Sequence, residues 1–258
     1  MGEVKEYPHG TFCWIDLGTT DVGGAKSFYG GLLGWEFADM GSAGYTLCGV
    51  DGQDVAGIHE HTEDEGVRWS SYIAVEDVDS ASARAQELGA TLTVEPTDVP
   101  GTARVSVIRD PSGAEVSQWQ SEGFMGARLV NDVGAWSWNE LTTPEVEAAK
   151  AFYGELIGWT AEDVPAQIPR ASLTMGALLV GGLHAPAPGE DPTPRWTVSF
   201  TVADADQSVE RAQELGGRVL LPPMDIPIGR FAIVADPAGA GFTVAAFPGG
   251  AFRGVDGS

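Results

Sequence analysis

The sequence predicts an α+β protein built by tandem duplication, and two observations carry that expectation. The segment Ala25-Lys26-Ser27-Phe28-Tyr29-Gly30-Gly31-Leu32-Leu33-Gly34-Trp35 returns 124 residues later as Ala149-Lys150-Ala151-Phe152-Tyr153-Gly154-Glu155-Leu156-Ile157-Gly158-Trp159, with eight of eleven positions identical. Chance does not produce that match, so the repeat fixes the organisation before any single element is read. The punctuation repeats as well: Gln86-Glu87-Leu88-Gly89 matches Gln213-Glu214-Leu215-Gly216, and Asp110-Pro111 matches Asp236-Pro237.

Each element follows from local pattern. Thr11 to Leu17 reads as a strand, and the repeat helix follows from about Thr20 to Leu33. Its apolar residues Val22, Ala25, Phe28/Tyr29 and Leu32/Leu33 recur at three- and four-residue steps, and Gly34 suits a left-handed helix end. In the second copy Thr143-Pro144 reads as an N-cap followed by proline at the first helical position. Glycine-punctuated strands follow at 35–38, 45–50 and 54–58, then an acidic loop from 59 to 66. The order then recurs. A strand from Trp69 to Val75 precedes a helix capped by Asp79 and ending at Leu88, and strands follow at 91–94, 104–108 and 114–119. The second half repeats this programme, with a helix from Asp206 to Leu215. Four βαβββ modules result, spanning 11–60, 69–120, 134–184 and 195–247. The domains are expected at 1–124 and 134–248, with a joint at 125–133 and a disordered tail at 249–258.

Composition narrows the class of function. The 37 acidic residues against 14 basic ones give a net charge of −23, which argues against nucleic acid or an anionic membrane as partner. No stretch is apolar enough to span a bilayer, and residues 1–10 lack the basic-then-apolar run of a signal peptide. Cys13 and Cys48 do not form a disulfide framework. The expectation is a cytoplasmic monomer or homodimer that takes a small molecule.

Strand–helix–three strands in pairs, with the FYxxLLGW helix end and the DPxG turn before a final strand, resembles the vicinal oxygen chelate superfamily. That group includes glyoxalase I, extradiol dioxygenases and bleomycin-resistance proteins. The resemblance covers about 11–120 and 134–247, and the tandem form is most similar to actinobacterial two-domain members. It implies that modules pair into two cupped mixed sheets, with helices outside and a ligand cavity within. It leaves open which modules pair.

Alternation along each strand assigns faces. Cys13, Ile15 and Leu17 form the apolar set against the helix, so Trp14 and Asp16 point into the cup, as do Trp138 and Glu140 in the repeat. By the same register Ser70 and Tyr72 point inward, and so do Thr197, Ser199 and Thr201. Apolar walls with a few polar anchors suit an organic ligand. Metal-dependent members of the family use His or Glu on the first and last strands of their modules. The matching positions here are Trp14, Ser70 and Ser117, and Trp138, Thr197 and Thr243, so the resemblance does not carry a metal or other cofactor across. His59-Glu60-His61 and His184 lie past strand ends and read as solvated loop positions.

Asp16 and Glu140 are the candidate bases, since burial beside an indole would raise a carboxylate pKa. Alternatively each acid accepts bonds from a neighbouring strand or from Arg104 or Arg230. Those arginines sit in matching segments and are also candidates to anchor an anionic ligand. Three readings emerge. The first is a metal-free module binding an apolar or aromatic molecule in drug sequestration or secondary metabolism, and the second is a metal-independent biosynthetic enzyme using Asp16 or Glu140. The third is a metal-dependent glyoxalase or dioxygenase.

Overall fold

The fold is described from a computed structural model covering residues 4–41 and 44–248; the tail expected at 249–258 lies outside the described residues. The first half runs β1(Phe12–Thr19), α1(Val22–Leu33), β2(Glu36–Asp39), β3(Tyr45–Val50), β4(Gln53–Glu60), β5(Arg68–Ala74), α2(Val78–Glu87), β6(Thr91–Val99), β7(Ala103–Arg109) and β8(Glu115–Ser121). The second half is β9(Trp136–Thr142), α3(Val146–Ile157), β10(Thr160–Asp163), β11(Arg170–Met175), β12(Leu178–His184), β13(Arg195–Thr201), α4(Ala205–Glu214), β14(Arg218–Ile226), β15(Gly229–Ala235) and β16(Gly241–Ala246).

Neighbouring modules pair. One eight-stranded mixed sheet has the order β2-β3-β4-β1-β5-β8-β7-β6, and the other has the same order in the second half. In each, the first strands of two modules lie antiparallel at the centre, β1 with β5 and β9 with β13. A bulge interrupts both pairs, between Phe12 and Trp14 in one and between Ser199 and Phe200 in the other.

Three helix starts differ from expectation. Asp77 rather than Asp79 caps α2, accepting from the Ser80 amide, and Asp204 caps α4. Asp79 and Asp206 sit in the first turns, where they are free to take ion pairs. Nor does Thr143 cap α3: its hydroxyl accepts from the Glu145 amide one step early, and the helix begins at Val146. Both repeat helices end on the expected left-handed glycines, Gly34 at φ 74° and Gly158 at φ 89°.

The repeated segment owes its composition to a seam between the two halves. The Tyr29 hydroxyl donates to Asp236 Oδ2 of the other half at 3.1 Å and accepts from the Trp69 indole, also at 3.1 Å. Its twin Tyr153 donates to Asp110 Oδ2 at 2.9 Å and accepts from Trp196 at 3.0 Å. Trp35 Nε1 donates to Gly134 O and Trp159 Nε1 to Gly10 O, at matching places in the two halves. Around these bonds Phe12, Trp35, Trp69, Trp159, Trp196, Phe200 and Phe242 interlock, edge to face except for the tilted Phe12–Trp159 pair. The two halves therefore meet through β5 and β13, and α1 packs on α4.

Tyr29→Phe leaves Asp236 and Trp69 each short of a buried partner, a cost of about 1–3 kcal/mol per group. Urea denaturation should show a lower midpoint for Tyr29→Phe and for Tyr153→Phe, with one cooperative transition for the whole chain. Two separated transitions in the parent protein would contradict a shared core.

Candidate functional site

The hollow of the first sheet is built on the face of β1 that alternation assigns. Asp16 is paired with Ser70, and Trp14 with Tyr72. Asp16 is 3% exposed. Its Oδ2 accepts from the Tyr72 hydroxyl at 2.8 Å and from the Tyr45 hydroxyl at 3.2 Å, and Tyr45 in turn accepts from the Trp14 indole at 2.8 Å. Oδ1 is buried and has no hydrogen-bond partner in the protein. Burial pushes the Asp16 carboxyl above its ordinary range, opposed by the nearby His59, the two tyrosine hydroxyls and His61. Burial likewise holds both tyrosines well above 10, so they remain donors at neutral pH.

Rings line this hollow. The Trp14 ring meets Phe124 edge to face at 5.0 Å, Tyr72 meets Trp119 at 5.6 Å, and Tyr45 stacks on His59 at 5.9 Å. His59 therefore does not occupy a solvated loop. It lies within β4, opposite Tyr45 and beside Gly18, with Nδ1 3.7 Å from Asp16 Oδ2 and the His61 ring against its own. The strand outlasts its apolar run because its neighbours β1 and β3 extend as far, which composition alone does not reveal. Two glycines make room. A Cβ on Gly57 would stand 1.9 Å from the Tyr45 hydroxyl, and one on Gly18 would stand 2.1 Å from the His61 ring.

The second hollow has the same frame and different chemistry. Glu140 pairs with Thr197, Trp138 with Ser199, and Ser199 with Thr243. Arg170, which faces His184 in the register by which Tyr45 faces His59, donates to Glu140 Oε1 at 2.5 Å. The acid is thus neutralised, and Ser199 stands where the first hollow has Tyr72. His184 is the last residue of β12, not a loop position, and contacts Thr142 and Ala185 O.

Of the residues singled out from sequence, Trp14, Asp16, Ser70, Tyr72 and Ser117 share the first hollow, since Ser117 pairs with Tyr72 on β8. Trp138, Glu140, Thr197, Ser199 and Thr243 share the second. Arg104 and Arg230 belong to neither. Arg104 is clamped to Asp79 and Asp98, and Arg230 to Asp206 and Asp225, on the helix-covered faces of the sheets. They do not reach Asp16 or Glu140, whose partners are tyrosines and Arg170. The missed residues are Tyr45, His59, Trp119 and Phe124. The readable signal for Tyr45 was a glycine inside an otherwise regular strand, which marks a close approach.

Trp14, Ser70 and Ser117 in one half and Trp138, Thr197 and Thr243 in the other are the residues that the resemblance sets against a divalent ion's ligands. An indole and neutral hydroxyls do not fit such an ion. Among the described residues no three His, Cys, Asp or Glu side chains converge as a ligating group. A crevice lined by Tyr7 and Phe12 together with Trp136 and Trp138 of β9, the second-half strand that carries Glu140, encloses about 20 Å³, room for one water and no organic ligand.

Residues 11–117 match the family model of the Glyoxalase/Bleomycin resistance protein/Dioxygenase superfamily, and 138–245 match that of a Glyoxalase-like domain. The chain belongs to this superfamily. It is 38% identical over 256 residues to CFP32 of Mycobacterium tuberculosis, described provisionally as a glyoxylase, covering 95% of this chain and 97% of that one. It is 34% identical over 260 residues to the anthracycline biosynthesis protein DnrV of Streptomyces peucetius, covering 93% and 94%. The Mn(II)-bound glyoxalase of Novosphingobium aromaticivorans shares the fold at TM-score 0.68 and 16% identity, over 92% of this chain and 82% of that one. Among the described residues no helix is long and apolar enough to cross a membrane.

Two variants test the geometry. Gly57→Ala should push the Tyr45 ring off Asp16 and break the Trp14–Tyr45–Asp16 chain, visible as a changed near-ultraviolet dichroism; an unchanged spectrum would show that the ring need not lie there. Because the Asp16 pKa is raised, its ionisation subtracts stability as pH rises through that value. Asp16→Asn should therefore melt higher than the parent at pH 8, by a margin that shrinks on acidification.

Proposed function

We propose that the first hollow binds an aromatic small molecule of secondary metabolism without a bound metal. The observation that carries this reading is the buried Asp16 carboxylate, held through one oxygen by Tyr45 and Tyr72, with its other oxygen unpartnered among aromatic rings. The rings offer stacking surface and the free oxygen offers a single polar anchor, the usual division of labour in an organic-ligand pocket. The relationship to DnrV, named for anthracycline biosynthesis, directs the choice of ligand toward fused-ring polyketides. The second hollow, with its acid neutralised by Arg170, serves the fold rather than the ligand.

A second reading keeps the same site and makes Asp16 a general base. The raised pKa of Asp16 and the approach of His59 Nδ1 to 3.7 Å favour it, since a base works best when its pKa nears the working pH. Glu140 does not share this role because its Oε1 is taken by the Arg170 guanidinium.

Thermal unfolding with a panel of anthracyclines, simpler anthraquinones, bleomycin-type compounds and flavins decides between occupancy and none. A ligand at a hundredfold excess over its Kd adds about 2.7 kcal/mol. The shift should persist after exhaustive chelation and disappear in Tyr72→Ala. A shift abolished by chelation would overturn the metal-free reading, and no shift from any class would overturn the aromatic one.

A further inference from the structure

We propose that the first hollow selects ligands carrying a protonated primary or secondary amine, with Asp16 Oδ1 as the receptor for the ammonium group. The inference deepens the reading above and rests on the first hollow being a ligand site.

Four observations converge. Asp16 has no lysine or arginine partner among the described residues, whereas Glu140, Asp79, Asp98, Asp206 and Asp225 each have one. The nearest charged or chargeable groups facing it are His59 and His61. A buried carboxylate is costly unless it meets a positive charge or a full set of donors. Here the set is one short, because two tyrosines occupy Oδ2 and nothing occupies Oδ1.

The walls suit a cation. Trp14, Tyr45, Tyr72, Trp119 and Phe124 gather around the acid, and indole and phenol faces attract ammonium groups through their quadrupoles. A neutral hydroxyl could donate to the free lone pair, but it would bring no countercharge to the carboxylate and no cation to the ring faces. An anion is repelled by Asp16 itself. Finally, the net charge of −23 draws cations toward the surface and slows anions. His59, with a side chain 27% exposed, stands beside the carboxylate with Nδ1 3.7 Å from Oδ2.

The asymmetry between halves supplies an internal control. In the second hollow Arg170 already fills the cationic place opposite the equivalent acid, so an amine has no vacancy there.

The test compares 2-phenylethylammonium chloride with 2-phenylethanol, a pair alike in ring and length, by calorimetric titration at constant ionic strength. The ammonium should bind at least tenfold more tightly to the parent protein. Asp16→Asn should bring that ratio to about one while leaving the alcohol's affinity unchanged, which separates lost charge from a collapsed hollow. Glu140→Gln should keep the preference. Equal affinity of the parent for both probes, including no binding of either, would overturn the inference, as would a preference retained in Asp16→Asn. Failure of the aromatic panel alongside a clear ammonium preference would sink the fused-ring reading and leave this one standing.

Discussion

The structure depends on a reciprocal bond: a tyrosine near the end of each repeat helix donates to the turn aspartate of the opposite half. Tyr29 reaches Asp236 and Tyr153 reaches Asp110, and each of those carboxylates also gathers backbone amides of its own turn. The FYxxLLGW and DPxG motifs are thus two ends of one contact. Both must be present in both halves for the seam to close, which gives a physical reason for the repetition. Once the seam is fixed, the back of each sheet is committed to packing, and chemistry is left to the opposite face.

Much of the frame was legible because it is periodic or repeated. The duplication, the module order and the inward facing of Trp14, Asp16 and Tyr72 follow from alternation and from a 124-residue offset. What was not legible depends on distance in sequence. Tyr45 and His59 reach Asp16 from strands 29 and 43 residues away, and Phe124 enters from the segment just after β8. Nothing local marks these meetings except the glycines that allow them. Arg104 and Arg230 misled for a related reason. They alternate in phase with the helix-covered face, and the acids that claim them, Asp79 and Asp206, were read as a helix cap and a helix start, each two residues past the caps that Asp77 and Asp204 supply.

The two hollows show how far side-chain chemistry can part on a single frame. Asp16 and Glu140 hold matching register positions, yet one is surrounded by phenols and indoles and the other is salted by Arg170. The exchange needs few changes: tyrosine to arginine on one strand and tyrosine to serine on another. Membership of the superfamily therefore describes the scaffold, and the side chains at these registers decide what it does.

Fusing the halves into one chain has an evolutionary consequence. In a homodimer of identical modules every substitution appears twice, so a change that sharpens one cavity alters its twin as well. A single polypeptide escapes that coupling. Tyr45 could be kept on one side while its counterpart became a charge clamp, so that the two halves of one molecule carry different side chains at matching places.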